Sequence, residues 1–385
     1  MSETYLDILH RLLPLPTAPF YEQHVMAEIL RFAAERSLPC AADDFGNLML
    51  TAGGSEAKPE LCLTAHMDHP ALGFAVHESS RDLLFERLGG VPSALTRDAR
   101  VLLYDRTPAA GARAVPVGAG SVTSFLEEGV PGSPNPSAPA FRVRIDDEVP
   151  EEGDLFAVWD LTPCALKGEQ IVGRACDDLA GVCVALATMD CCLAEGVSLS
   201  VLLTRAEETG FGGMLAALAA DGLDREAIYV NIECSSCRSG APLGAGPVIR
   251  VGDRRWIFDA GVTEALCRCA AELAQRLDGF SVQRRLMDGG VCEATPLSRS
   301  GRATGAVALP LDNYHNDGGQ RLRSEAVHLR DAENLVSLLT DLARQRRGAN
   351  AMVAESLATL DDMLRSRHIS QVDRLRRTTN PMSQP

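Results

Sequence analysis

The 385-residue chain is 46% hydrophobic, enough for a sizeable core and, at roughly 150 residues per domain, for two or three domains. Its 37 basic and 52 acidic residues leave a net charge of −15, which argues against a nucleic-acid backbone or an anionic membrane as partner. The N-terminal MSETYLDILHRLLPLP lacks the layout of a signal peptide, and no stretch offers the ~18 uncharged apolar residues of a membrane span, so a cytoplasmic protein is expected.

Helical spacing predicts helices over 3–13 and 21–36, and apolar β-rich runs predict strands at Leu48–Leu50 and Leu61–Thr64, on either side of the turn TAGGSEAKPE. From about Ala75 to Lys167 the texture changes to short β-like runs, VLLYD, RAVPV, AFRVRI and DLFAVWD, broken by EEGVPGSPNPSAPA. An inserted all-β module with a floppy loop near 127–140 is predicted. Beyond Gly168 the alternation returns: a helix over 178–194, strand 197–204, helix 211–221, strand 228–232, helix 261–277, strands 281–286 and 303–309, and helix 331–346. Strands alternating with helices of this length predict an α/β fold, its largely parallel sheet covered on both faces and its chain split by the insert. After Arg347 a tail has amphipathic helical spacing over 351–367 and ends in RRTTNPMSQP, expected to be disordered.

Chemistry gathers at the predicted strand ends. In LTAHMDHP, His66 and Asp68 follow a strand and lie two apart, so they project to one face; an imidazole can ligate a metal and a nearby carboxylate can orient it. The alternative for that pair is a surface or N-cap role, and His69 beside it is read as structural. In GRACDDLAG, Asp177 and Asp178 precede a helix, where an acid serves either as an N-cap or as a bridge between two cations. In TRAEETGFGG, Glu207 and Glu208 leave a buried strand next to glycines that mark a tight exit; neighbouring carboxylates point apart, one able to hold a metal and the other to act as a base. Glu233 in YVNIECSS and His315 in LPLDNYHND also follow apolar runs. Five strand ends carrying oxygen and nitrogen donors suit zinc, cobalt or manganese in a water-bearing site, because open α/β sheets assemble sites there. The twelve cysteines contribute none of these donors; Cys234 and Cys237 form a lone C-x-x-C, a weak signal, and the rest read as buried hydrophobes in a reducing compartment.

In order and spacing, HMDHPALGFAV, RACDDLAGV, TRAEETGFGG, NIE and NYH make the sequence resemble the dinuclear metallo-aminopeptidases of the tetrahedral (TET) type, with the glutamyl and deblocking aminopeptidases and the endoglucanase-M-like proteins. The resemblance implies a metal-dependent exopeptidase, most simply an aminopeptidase, with two divalent cations, zinc first among them. It places His66 and Glu233 on one metal, Glu208 and His315 on the other, Asp177 as the bridge, Glu207 as general base and Asp68 as the acid orienting His66. It further implies catalytic segments over 1–72 and 167–347, a β-barrel-like dimerisation domain over 73–166, a C-terminal extension over 348–385, and a homo-oligomer, up to a closed dodecamer, acting on peptides. The chain departs from the family pattern at Leu179, where the family has Arg, in the two residues His69-Pro70 after Asp68, at Glu233 in place of Asp, and in Gly289–Ala294. Glu233 keeps a dinuclear carboxypeptidase or N-acyl amino-acid deacylase as an alternative, which would need a cation such as Arg250, Arg254, Arg255 or Arg284 for a substrate carboxylate. A catalytically degenerate peptide-binding or scaffold relative is a third reading, against which the full ligand set speaks.

Overall fold

In a computed structural model of the chain, residues 4–53, 59–107, 114–127, 129–135, 137–149, 153–345 and 349–378 are described. In chain order, α1 (Tyr5–Leu12) and α2 (Gln23–Glu35) precede β1 (Cys40–Ala42), β2 (Leu48–Ala52) and β3 (Leu61–His66). Next come β4 (Ala71–His77), β5 (Asp82–Leu88), β6 (Arg100–Asp105), β7 (Gly118–Leu126), β8 (Ala140–Ile145) and β9 (Leu155–Trp159). The chain continues through β10 (Cys164–Lys167), β11 (Gln170–Gly173), α3 (Cys176–Glu195), β12 (Leu199–Thr204), α4 (Gly212–Ala219), β13 (Ile228–Ser236) and β14 (Val248–Asp253). It ends with α5 (Ala260–Arg276), β15 (Gln283–Met287), α6 (Ala294–Arg299), β16 (Thr304–Leu311), β17 (Glu325–His328), α7 (Leu329–Arg344) and α8 (Ala349–Arg377).

The main sheet has eight strands in the order β1-β2-β12-β3-β13-β16-β14-β15. Its centre, β12-β3-β13-β16, is parallel, while β2 and β14 pair antiparallel with its two edges. Every residue of β3 and of β16 is buried, which explains why these strands read as continuous apolar runs without alternation. The two-residue period still sorts the side chains by face. Leu61, Leu63, Val201, Leu203, Ile228 and Val230 enter the large core with α1, α3 and α7, whereas Cys62, Leu202 and Tyr229 join Met214 of α4 and Leu297 of α6 in a smaller one. Between sheet and outer helices, α3 is buried at all fifteen positions from Cys176 to Asp190, and apart from Asp177, Asp178, Thr188 and Asp190 these positions carry apolar or small residues, as a helix enclosed on every side requires.

The α/β class is therefore realised, with a closed six-stranded barrel, β4-β5-β8-β7-β6-β9, between β3 and the return to the sheet. The barrel's core holds Phe85, Val101, Val122, Phe141 and Trp159. Several elements differ from the sequence reading. The run RAVPV is not a strand over its described residues 114–117; the strand is the adjoining, glycine-bearing β7, whose pairing with β6 and β8 outweighs its composition. β1, β4, β5, β14 and the small antiparallel sheet β10-β11-β17 are not among the predicted strands. β13 runs four residues past the predicted 232, and the tail helix is longer than 351–367. The last residues, 379–385, lie outside the described part. Among the described residues no helix is long and apolar enough to cross a membrane, and the twelve cysteines are free thiols.

Candidate metal centre

The parallel register sets the ends of β3 and β12 level, with Thr204 opposite His66, and puts Glu233 and Ala308, each three residues short of its strand's end, at the same height. His66, the last residue of β3, is buried, with Nε2 3.5 Å from Asp177 Oδ1 and 3.4 Å from Glu233 Oε1. His315, in the 3-10 turn after β16, has Nε2 3.2 Å from Glu208 Oε2 and 3.8 Å from Asp177 Oδ2. The two oxygens of Asp177 thus face two half-sites, His66 with Glu233 and His315 with Glu208. Glu207 Oε2 stands 4.0 Å from His66 Nε2. All seven predicted site residues come together here, though Glu233 projects from within β13 rather than from a strand end.

Asp177 Oδ1 and Glu208 Oε1 are buried and accept no hydrogen bond. A carboxylate oxygen taken out of water without a donor costs free energy, and a divalent cation is the partner that relieves it. Donor atoms of His66, Asp177 and Glu208 lie within 4.8 Å of one another. The imidazole and carboxylate set fits divalent cations of the zinc, cobalt or manganese kind.

A ring of hydrogen bonds fixes these groups. Asp68 accepts from the backbone N–H of Glu207 at 2.9 Å and of Glu208 at 3.0 Å, and its Oδ1 lies 3.5 Å from His66 Nδ1. It therefore positions the Glu207-Glu208 backbone as well as standing behind His66. Glu22, buried, accepts from the backbone N–H of Ala206 and from Arg205 Nε, anchoring the same turn from α2's side. Gly213 is needed where that turn enters α4: a Cβ there would lie 2.2 Å from Asn47 Oδ1. Asp178 is not an N-cap; it is buried and its Oδ2 accepts from the His66 N–H at 3.4 Å. His69, read as structural, supports the bridge: Nδ1 is 2.6 Å from the Asp177 carbonyl and Nε2 3.0 Å from Asn316 Oδ1. The barrel reaches the site through Gly90, whose carbonyl is 3.3 Å from His315 Nδ1.

Burial raises the carboxyls of Glu207 and Asp177 well above the usual carboxylate range, with the His66 ring opposing. Burial disfavours charge on His315, but the neighbouring Glu208 carboxylate outweighs it and lifts the ring to about 10, whereas burial takes His69 down to about 4.

Two supporting acids escaped the sequence reading as site residues. Glu325 is buried and accepts from the backbone N–H of Asp177 at 3.0 Å and of His315 at 2.9 Å, tying the shared aspartate to the second imidazole. No local signal marks it: it opens the four-residue β17, and pairing with Gly173 of β11 brings it there. Glu293, in the stretch that departs from the family pattern, accepts from Thr204 Oγ1 at 2.8 Å, and burial pushes it up to about 8.

Two imidazole and carboxylate pairs sharing one aspartate, at the strand ends of an α/β sandwich, define a metal-dependent hydrolase. The M42 glutamyl aminopeptidase family matches residues 46–338, and the chain belongs to that family; it is a metal-dependent aminopeptidase. Similar solved structures include the TET1 peptidase of Pyrococcus horikoshii, 21% identical over 89% of this chain and 100% of that one, with a TM-score of 0.70. An aminopeptidase from the archaeon Desulfurococcus kamchatkensis is 21% identical over 89% of this chain and 94% of that one, at 0.69. A TET aminopeptidase from a marine-sediment thaumarchaeon is 17% identical over 91% and 99%, at 0.72. At these identities the likeness is one of fold. No curated protein matches the chain significantly.

Proposed function

We propose that the centre is dinuclear and removes the N-terminal residue of peptides. The observation that carries this is Asp177, whose two oxygens face separate imidazole and carboxylate half-sites. His66, Glu233 and Asp177 would hold one divalent cation, zinc in the first instance, and Asp177, Glu208 and His315 the other. Bound there, the cations would polarise the scissile carbonyl and acidify the attacking water. Glu207, whose backbone Asp68 fixes, takes the water's proton and hands it to the leaving amine; a carboxyl with raised proton affinity is suited to both transfers near neutral pH. The division into 1–72, 73–166, 167–347 and 348–385, with the barrel as a dimerisation module, belongs to the same reading. So does a homo-oligomer, for which the Pyrococcus TET1 assemblies, a tetrahedron or an octahedral shell, are the precedent.

The substrate side chain enters a cavity of about 530 Å³ whose lining includes Glu233, Arg250, Met287, Cys292 and Tyr314. Arg250 is 3% exposed, and its Nε and Nη1 have no hydrogen-bond partner. Arg254, Arg255 and Arg284 are exposed, which leaves Arg250 as the cation of the four that can meet a buried carboxylate. An acidic N-terminal residue supplies that carboxylate. The test compares kcat/KM on glutamyl, leucyl and N-acetyl-amino-acid substrates for the wild type and Arg250→Met. Preferred cleavage of the free-amine glutamyl substrate, lost in Arg250→Met, is the expected outcome. Hydrolysis of N-acetyl amino acids with free-amine peptides untouched would transfer the site to the deacylase reading.

A further inference from the structure

We infer that the outer part of α8 is a self-association surface, which pairs antiparallel with α8 of a second copy of this chain. The helix lies beyond the family-matched segment 46–338. Its first turns are anchored. Val353 packs against the main core, Ser356 is buried, Glu355 lies 3.5 Å from Arg268 of α5, and a Cβ at Gly261 of α5 would come within 2.5 Å of Val353 Cγ1. Past Ser356 the residues 357–369 are all exposed. About 20 residues, or roughly 30 Å of helix, therefore continue with little cover.

That extension is not uniformly polar. Leu357, Leu360, Leu364 and Leu375 are 42%, 44%, 52% and 66% exposed, and Met363 and Ile369, on other sides of the helix, are 40% and 65% exposed. At about 100° per residue, Val353 and the four leucines fall within a sector about 60° wide. The stripe that seats α8 on α5 thus carries on into solvent, continuous with an interface already made. A lone helix of this length is marginal in water, and an exposed leucine stripe is an interaction surface.

Charge selects the occupant. Between Glu355 and Asp362 the charged residues are Glu355, Asp361 and Asp362; from Arg365 to Arg377 they are five arginines, Arg365, Arg367, Arg374, Arg376 and Arg377, and one acid, Asp373. A parallel pair sets like charges side by side. An antiparallel pair sets Leu364 of one copy against Leu375 of the other and brings Asp361 within reach of Arg376, and the two-fold axis makes each contact twice. His368 and Gln371 then form a polar layer between the two leucine layers, a device that fixes register.

The test is photo-crosslinking of the full chain carrying p-benzoylphenylalanine in place of His368, with the crosslinked peptides identified by mass spectrometry. A covalent dimer joined through residues 361–377 of both copies is expected. A crosslink to another segment, to added anionic phospholipid vesicles, or to nothing overturns the proposal. Charge reversal supplies the second arm. Asp361→Arg and Arg376→Asp should each lower the dimer yield at least several-fold, and the double variant should restore it, with peptidase activity per subunit unchanged in all three. Failure of the double variant to restore the dimer would sink the antiparallel register.

Discussion

The parallel centre of the sheet and the barrel solve the same packing problem with opposite consequences. In the barrel each strand is paired on both sides and β4 meets β9, so the closed surface leaves no strand edge and its interior is filled by Phe85, Phe141 and Trp159. In the sheet, β3 and β12 stop level with one another while β13 and β16 run three residues further, and the groups just past these ends have no ladder to enter. His66, Asp68, Glu207, Glu208 and His315 sit at or just past the ends. One region spends its sequence on closure and the other on a row of open ends, and the chemistry follows the open ends. The barrel's direct contribution to a ligand is a backbone carbonyl, that of Gly90 beside His315.

Chelation draws the sharpest line between the two. Removing divalent cations should abolish peptidase activity while leaving the far-ultraviolet circular dichroism of the barrel intact, and returning zinc, cobalt or manganese should restore activity. The folded aspartate site holds a proton more tightly than a free carboxyl does, since burial raises Asp177. Cation loading must therefore expel protons, and affinity should fall as the pH drops from about 8 to about 6. Titration calorimetry showing tighter binding at the lower pH would break the assignment of Asp177.

Glu207→Gln should keep fold and metal content but lose roughly 100-fold to 10,000-fold in kcat, because an amide cannot take the water's proton. Near-normal turnover would remove Glu207 as the base. A smaller loss, roughly 10-fold to 100-fold in metal affinity or kcat/KM, is expected for Glu325→Gln. In that variant an NH2 replaces one of two oxygens that accept from the Asp177 and His315 backbones. Equal metal affinity and equal rate would show that this buried acid is packing alone.

The barrel should answer differently. Phe141→Ala removes a ring packed edge-on to Trp159 at 6.0 Å and tilted against Phe125 at 5.4 Å, and should cost about 3–5 kcal/mol of stability. Below the melting temperature kcat/KM should stay within about twofold of wild type. A proportionate fall in kcat/KM would mean the barrel tunes His315 through Gly90 and is no passive module.

The alternation of strand and helix after Gly168 was legible because long buried strands and helices carry strong periodicity. The ligand candidates were legible because His, Asp and Glu stand out beside apolar runs. β7 was missed because its glycines and serines are made into a strand by partners on both sides, and β14 because its six residues lie in a stretch without strong pattern.

By itself the sequence determined which residues could ligate and that most of them would lie where strands stop, Glu233 within β13 being the exception, since local polarity and periodicity are properties of neighbouring residues. Which oxygen of Asp177 faces which imidazole, that Asp68 holds the backbone of two glutamates, and that His69 and Glu325 brace the shared aspartate were decided by tertiary structure. Those contacts join residues between 108 and 148 positions apart, and Asp68 to Glu207 across 139. No local pattern encodes such a distance; it is set by the order in which four parallel strands pack beneath α3.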